Sequence, residues 1–182
     1  MIGSVDSHPV QLLHDIGQKC RTVAKGLPQR IDISRDWTGI GFRIGEYNLV
    51  APLGQVNEIL HSPSLTIVPG AQSWVRGVAN VRGVLLPIMD LRGYLGTPAP
   101  STASINSRVL MIKNEELITG LLVDEVLGLK HFKEEEKVSA VTNFDESLRK
   151  FIRGAFSQDG VETLVFSMEA LALDPNFYQV AV

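Results

Sequence analysis

The stretch Val75-Arg76-Gly77-Val78-Ala79-Asn80-Val81-Arg82-Gly83-Val84-Leu85-Leu86-Pro87-Ile88-Met89-Asp90-Leu91 decides the fold class. Val75 and Val78 lead into Asn80-Val81-Arg82-Gly83, where Asn and Gly suit the positive φ of a tight turn, and an apolar run from Val84 to Ile88 leaves it. Two short strands therefore meet at a polar turn that carries Arg82. Pro87 has no N–H to give to a ladder, so the second strand is expected at a sheet edge or to end there. Asp90 stands where it would cap a short helix through Leu91 and Leu95. Gly77 and Gly83 read as structural, because a tight barrel corner needs positive φ or close strand approach.

The run has an echo. Ile152-Arg153-Gly154-Ala155 and Gly160-Val161 follow Val75-Arg76-Gly77-Val78 and Gly83-Val84 by 77 positions (152 − 75 = 77). Val56-Asn57-Glu58-Ile59 and Val123-Asp124-Glu125-Val126 are related by 67 positions (123 − 56 = 67), each after an apolar stretch. Between the two copies, residues 96–104 carry no charge and almost no bulky side chain, as suits a surface linker.

Short alternating strands fill each side. Ile40, Phe42 and Ile44 alternate before Gly45-Glu46, and Tyr47, Leu49, Ala51 and Leu53 after it. In the second half, Val109 to Ile112, a polar turn at 113–116 and Leu117 to Val123 repeat the arrangement. The chain reads as mainly β: two small five-stranded barrels with short helices after them. Residues 1–36 are expected to hold an N-terminal helix and connector. A main domain spans 37–175, divided into 37–96 and 105–175 by a linker at 97–104, with exchange of strands between the halves left open, and 176–182 is a tail.

The N-terminal stretch follows a different period. Ser7 can cap, Pro9 fits a first helical turn, and Leu13, Ile16, Cys20, Val23 and Leu27 recur at spacings of three and four. This predicts an amphipathic helix ending near Gly26-Leu27-Pro28, whose apolar stripe either packs on the barrels or meets a partner.

With 182 residues, 45% of them apolar, the chain has enough material for a real core, burying about 70 per cent of the unfolded surface. A net charge of −3 argues against a non-specific nucleic-acid binder. The apolar stretches fall short of the ~20 residues of a spanning helix, and the N-terminus lacks a signal peptide's apolar core. One cysteine, Cys20, allows no intramolecular disulfide, and a cytoplasmic location is expected. His8, His14, His61 and His131 are scattered, so no metal site or cofactor is expected. There is no phosphate loop of the Gly-x-x-x-x-Gly-Lys type and no Gly-x-Ser-x-Gly elbow, and the chain reads as a non-enzyme. The run Lys133-Glu134-Glu135-Glu136-Lys137 reads as a solvated face.

Taken together, Gly41-Phe42-Arg43-Ile44, Val56-Asn57-Glu58-Ile59, Pro69, Trp74 through Gly83 and Leu86-Pro87-Ile88-Met89-Asp90-Leu91 resemble the CheW family of bacterial chemotaxis coupling proteins. Arg108 to Ile112, Gly120 to Val126 and Phe151-Ile152-Arg153-Gly154 extend the resemblance from about Thr38 to Leu173. It implies two SH3-like five-stranded barrels side by side. It also implies an adaptor that joins the cytoplasmic tip of a chemoreceptor (a methyl-accepting chemotaxis protein) to the regulatory domain of a CheA-type histidine kinase, in arrays at the membrane. The N-terminal extension resembles that of the family branch controlling type IV pili and twitching motility.

The resemblance implies a receptor-binding face. Arg82 occupies the family's Asn-x-Arg-Gly turn, with Asn80 and Gly83, and Glu58 the acidic position of Val-x-Glu-Ile; Val56, Val109 and Leu129 match apolar positions lining a groove for the receptor helix. Each has a plainer reading, surface charge for Arg82 and Glu58 and core packing for Val56 and Val109, while Leu129, beside Gly128 and Lys130, is the better candidate for exposure. Val81 and Ala79 are smaller than the residues frequent at those positions in the family, which implies a receptor surface of its own. The alternative function is a small barrel binding a ligand or oligonucleotide, for which the aromatics Trp37 and Trp74 are too sparse and the charge too acidic.

Overall fold

The alternating segments form paired strands. The computed structural model describes residues 36–97, 104–113, 118–138 and 145–181. The expected N-terminal helix and most of the linker lie outside them. The strands are β1 (Trp37–Ile44), β2 (Tyr47–Pro52), β3 (Glu58–His61), β4 (Val75–Val81), β5 (Val84–Asp90), β6 (Arg108–Lys113), β7 (Ile118–Val123), β8 (Glu125–Phe132), β9 (Lys137–Val138), β10 (Ile152–Gln158) and β11 (Val161–Phe166). Short helices α1 (Leu91–Leu95), α2 (Glu146–Arg149), α3 (Met168–Ala172) and α4 (Pro175–Tyr178) punctuate them.

The strands make a six-stranded sheet, β8-β1-β2-β11-β10-β9, and a five-stranded sheet, β3-β6-β7-β5-β4. The sixth strand, not expected from the sequence, is the two-residue β9, which pairs Val138 and Lys137 with Ala155 and Phe156. Both sheets curl closed. In the five-stranded sheet β3 and β4 end the order, yet the chain leaving β3 bridges Thr66 to Val78 of β4, with N–H to C=O bonds of 2.9 and 2.8 Å in the two directions. In the other, the end strands β8 and β9 are joined by one turn of 3-10 helix, Glu134–Glu136, and Phe132 of β8 stacks on Phe156 of β10 at 4.6 Å.

Alternation sorts the side chains into three cores. Ala79, Leu86, Ile88, Val109 and Leu122 fill the five-stranded barrel, and Val50, Phe132 and Phe156 the six-stranded one. The neighbouring positions Leu49, Ala51, Met89, Leu110, Ile112, Leu121 and Val123 join Phe42, Phe151 and Phe166 in the largest cluster, which draws on both sheets and lies between them. Strands such as β6 and β7 are therefore apolar on both faces, and each fully buried large aliphatic or aromatic side chain contributes roughly 1.5–3 kcal/mol.

The two sequence echoes are structural repeats. Both hairpins, β4–β5 and β10–β11, carry a register shift at equivalent positions, between Val75 and Gly77 and between Ile152 and Gly154. In each, the residue before the first strand accepts from the cap of the following helix: Trp74 C=O from Asp90 N–H at 2.7 Å, Phe151 C=O from Ser167 N–H at 2.9 Å, and the caps are again 77 positions apart (167 − 90 = 77). Asp90 accepts the Gly93 N–H at 3.1 Å and Ser167 the Ala170 N–H at 3.1 Å. Burial raises the Asp90 carboxyl above its ordinary value, and the Gly93 N–H pulls the other way. The second echo is equally literal. Asn57 accepts the Lys113 N–H at the end of β6 at 2.6 Å, and Asp124 accepts the Gly45 N–H at 2.6 Å, each side chain bonding the backbone of the other repeat's hairpin.

Each barrel takes strands from both sides of residues 97–104. β1 and β2 join β8 to β11, while β6 and β7 join β3 to β5, through parallel pairings of β2 with β11 and of β5 with β7.

Two local expectations need correction. β5 runs on through Pro87 and is an inner strand, between β4 and β7. Val78 spends its N–H and C=O on Thr66, so its partner Pro87 directs its own backbone away from β4, toward β7. Pairing with β7 starts only at Ile88, and the Pro87 carbonyl takes the Thr119 hydroxyl at 3.0 Å, so no ladder donor is missed. The residues after 175, set apart as a tail, are docked as well: Phe177 is buried, and Ala181 bridges to Ala71.

Candidate protein-docking site

The tip of the β4–β5 hairpin is built from two residues. Val81 pairs with Val84, and Arg82 and Gly83 between them take φ of 52° and 85°. Positive φ at both central positions is the type I′ turn, whose twist matches the flanking strands. Asn80, expected to supply a positive φ, remains in β4, and its Oδ1 accepts the Gly83 N–H at 2.8 Å. A short polar side chain can tie a turn without bending its own backbone, so the left-handed conformation falls on Arg82 instead. For a residue with a Cβ that costs about 1–2 kcal/mol, a strain of the kind that persists where surrounding structure holds it.

The strand pairing of Val81 with Val84 and the Asn80–Gly83 bond hold it, and Glu58 orients the side chain. Arg82 Nη2 and Nη1 donate to Glu58 Oε1 and Oε2 at 2.5 and 3.2 Å, a two-bond fork across the closure of the barrel. The Arg82 side chain is 77% exposed and that of Glu58 26%, so the pair contributes only about 0–1 kcal/mol to folding. Its geometric effect is larger, since it fixes a guanidinium in solvent at the end of a rigid hairpin. Asn57, bonded to the next hairpin, fixes the backbone that presents Glu58.

Gly77 stands where a side chain would not fit. Its φ is 134°, and a Cβ there would strike the Thr66 carbonyl that pairs with Val78. Gly83 serves the turn, and no atom crowds it.

The apolar candidates separate. Val56 is half-buried against the central core, and Leu129, on β8 of the six-stranded sheet, is 52% exposed. Val109 is fully buried inside the five-stranded barrel with Leu86, Ile88 and Leu122, so the expectation that it lines a docking groove is corrected: its alternation on β6 turns it inward. Exposed aliphatic surface beside Arg82 comes from residues that the sequence reading passed over, Val84 and Leu85 on β5 and Ile59 after Glu58. The signal was present in Val84-Leu85-Leu86: a strand alternates, and consecutive apolar residues at a hairpin tip cannot all face one core.

Other polar groups serve the fold. Arg92 of α1 donates to Asp124 at 3.1 Å, next to the Gly45 turn, and Arg43 pairs with Glu125 across β1 and β8 at 2.7 Å. Trp37 packs against Phe132 and Phe156, and Trp74 against Tyr94 and Phe177, so both rings are engaged in packing. Among the described residues no group of three or more His, Cys, Asp or Glu is placed to hold a metal, and no helix is long and apolar enough to cross a membrane.

A rigid hairpin tip that offers a fixed guanidinium with exposed aliphatic neighbours has the chemistry of a candidate protein-docking surface, on a frame of two interlocked barrels with no group of metal-ligating residues among the described residues. Residues 38–175 match the CheW-like domain, and the chain belongs to the CheW family of non-catalytic scaffold proteins. It is 47% identical to protein PilI of Pseudomonas aeruginosa over 96% of this chain and 97% of that protein. It is 32% identical to a probable chemotaxis protein CheW of Rhizobium etli, over 72% of this chain and 84% of that one. The crystal structure of the scaffolding protein TtCheW from Thermoanaerobacter tengcongensis shares the fold, with a TM-score of 0.61 and 23% identity over 71% of this chain and 88% of that one.

Proposed function

We propose that this CheW-type scaffold couples the cytoplasmic tip of a chemoreceptor to the regulatory domain of a CheA-type histidine kinase, in the pathway that controls type IV pili and twitching motility. The observation that carries the reading is the span of its likeness to PilI. That match covers 96% of the chain, whereas the CheW relatives of Rhizobium etli and Thermotoga maritima match 72% and 71% of it. The extra length takes in sequence outside the shared domain, and it is this N-terminal extension that resembles the pilus branch.

In this reading the receptor meets Arg82 and Glu58, with Val56 and Leu129 as apolar contacts and Val84 and Leu85 beside them, while Gly77, Asn80 and Gly83 shape the hairpin. The kinase domain meets another surface. The protein works in the cytoplasm and is recruited to membrane-associated receptor arrays, where many weak contacts raise effective affinity.

The test is a pull-down from a lysate of a bacterium carrying the pilus system, with wild type and Arg82→Glu as baits and the bound proteins identified by mass spectrometry. A CheA-type kinase on both baits and a chemoreceptor on the wild type alone are expected. Recovery of neither protein on the wild type sinks the coupling reading. Undiminished receptor on a folded Arg82→Glu removes Arg82 from the receptor face.

A further inference from the structure

The CheW-like match ends at residue 175, but the chain beyond it is folded back onto the domain. Phe177 of α4 is 1% exposed, stacked on Trp74 at 5.8 Å and 15° and edge-on to Tyr94 at 5.2 Å. Three and four residues later the segment turns extended. Val180 C=O accepts the Gln72 N–H at 2.9 Å, Ala181 C=O accepts Gln72 Nε2 at 3.2 Å, and Ala181 bridges antiparallel to Ala71. At its root, Asp174 caps α4 through the Asn176 N–H at 3.0 Å and pairs with Lys150 at 2.5 Å.

These ties differ from those within the barrels. Among the described residues no barrel strand pairs with residues 174–181, and the bridge they make is to the loop before β4. One buried ring, the backbone and side-chain bonds of Gln72, the Tyr178 hydroxyl on the Ala172 C=O at 2.6 Å and the Lys150 ion pair hold them, while Tyr178 and Val180 stay partly exposed. Such an element is expected to open below the free energy of global unfolding. Opening would bare the Trp74–Tyr94 socket and the backbone of Ala71 and Gln72, a ring site followed by a short strand edge. Such a site joins two modes of peptide recognition, a pocket for one anchoring side chain that supplies specificity and backbone bonds at an edge that supply affinity.

We propose that residues 174–181 are a detachable latch, and that the socket it fills is a docking site for a partner segment that presents an aromatic side chain from one helical turn, three or four residues ahead of a short β-pairing stretch. The bound latch shows what fits: Phe177 in the socket, Val180 and Ala181 on the edge. A partner segment must compete with it, so the closed latch lowers apparent affinity in proportion to the small open fraction.

A fluorescently labelled peptide of the sequence Asp174–Val182 is the probe, titrated by anisotropy into the full chain as wild type and as Phe177→Ala. The folded variant is expected to bind at least ~10-fold more tightly than wild type, because its own latch no longer competes. The same peptide carrying Phe177→Ala is expected not to bind. Equal or weaker binding to the folded variant overturns the proposal. Should Phe177→Ala fail to fold, native-state hydrogen exchange on the wild type decides. Faster exchange at the amides of Gln72 and Phe177 than at Val50 and Leu110 supports the latch, and exchange of all four only with global unfolding refutes it.

Discussion

Replacing Arg82 by glycine separates the folding role of the hairpin tip from its docking role. Three terms set the stability change. Relief of the left-handed conformation at φ 52° favours the variant by about 1–2 kcal/mol. The extra freedom of glycine in the unfolded chain disfavours it by about 0.5–1 kcal/mol. Loss of the exposed fork to Glu58 disfavours it by about 0–1 kcal/mol. The net lies within about 1.5 kcal/mol of zero, and in a chain of this size 1 kcal/mol moves Tm by roughly 2–4 °C.

Receptor binding should respond differently, because no other residue of the hairpin tip offers a planar donor fork to a partner carboxylate or carbonyl. Thermal melts should show Tm within about 6 °C of wild type, and calorimetric titration with a receptor cytoplasmic fragment should show affinity lowered at least ~10-fold, which is about 1.4 kcal/mol. The exchange Glu58→Arg with Arg82→Glu rebuilds the ion pair with its poles reversed, and it should keep stability while leaving binding impaired. If Arg82→Gly cost more than about 3 kcal/mol, Arg82 would be a structural residue and the reasoning here would fail. If affinity stayed at the wild-type level in a stable variant, the guanidinium would not touch the receptor.

Three further outcomes are expected. Gly77→Ala forces a Cβ into the Thr66 carbonyl at φ 134° and should destabilise by about 2 kcal/mol or more, read as a lowered urea midpoint; an unchanged midpoint would show that the bulge relaxes freely. Val109→Ala opens a cavity inside the five-stranded barrel and should cost about 2 kcal/mol, yet leave the receptor affinity of the folded fraction unchanged, so that a loss of affinity would return Val109 to the docking face. Asp174 is pushed up by burial, but the Lys150 ammonium and the Asn176 N–H outweigh this and hold its pKa below the ordinary 3.8. A depressed carboxyl stabilises above its unfolded pKa and loses that contribution as pH falls through the folded value. Asp174→Asn should therefore be less stable than wild type near neutrality, with the difference shrinking below about pH 4 in pH-dependent melts.

Much of the fold was legible because alternation and turn chemistry are local. Phe42, Ile44, Leu49 and Ala51 alternate into the core as read, and Asp90 caps α1 where its position predicted. Harder to read was anything that depends on which strand lies beside which. Pro87 suggested a sheet edge, since sequence does not reveal that Val78 would give its hydrogen bonds to Thr66. Val109 gave no sign of its face, because β6 is apolar on both sides and the two cores differ only in which barrel they fill. Arg82 was found by motif, but the positive φ was assigned to Asn80, whose side chain rather than backbone does the work.

The internal repeat gives the chain two hairpin tips of one backbone geometry, and the proposed function uses only the first. Asp159 and Gly160 take φ of 53° and 79°, the same turn as Arg82 and Gly83 at positions 77 later (159 − 82 = 77). Glu125 likewise stands where Glu58 stands in the first repeat, but it pairs with Arg43 across the adjacent strand. Backbone geometry is thus duplicated, while the cation that answers the glutamate has moved from the tip to the sheet. In the first repeat the guanidinium stands out at the turn; in the second it lies along β1, and the turn carries a carboxylate instead. Two copies of one fold therefore present tips of opposite charge, so an acidic partner surface that suits Arg82 is a poor match for Asp159. Because each barrel borrows two strands from the other repeat, neither tip can be repositioned without disturbing both barrels. Specificity rests on side-chain charge set on a shared, interlocked frame.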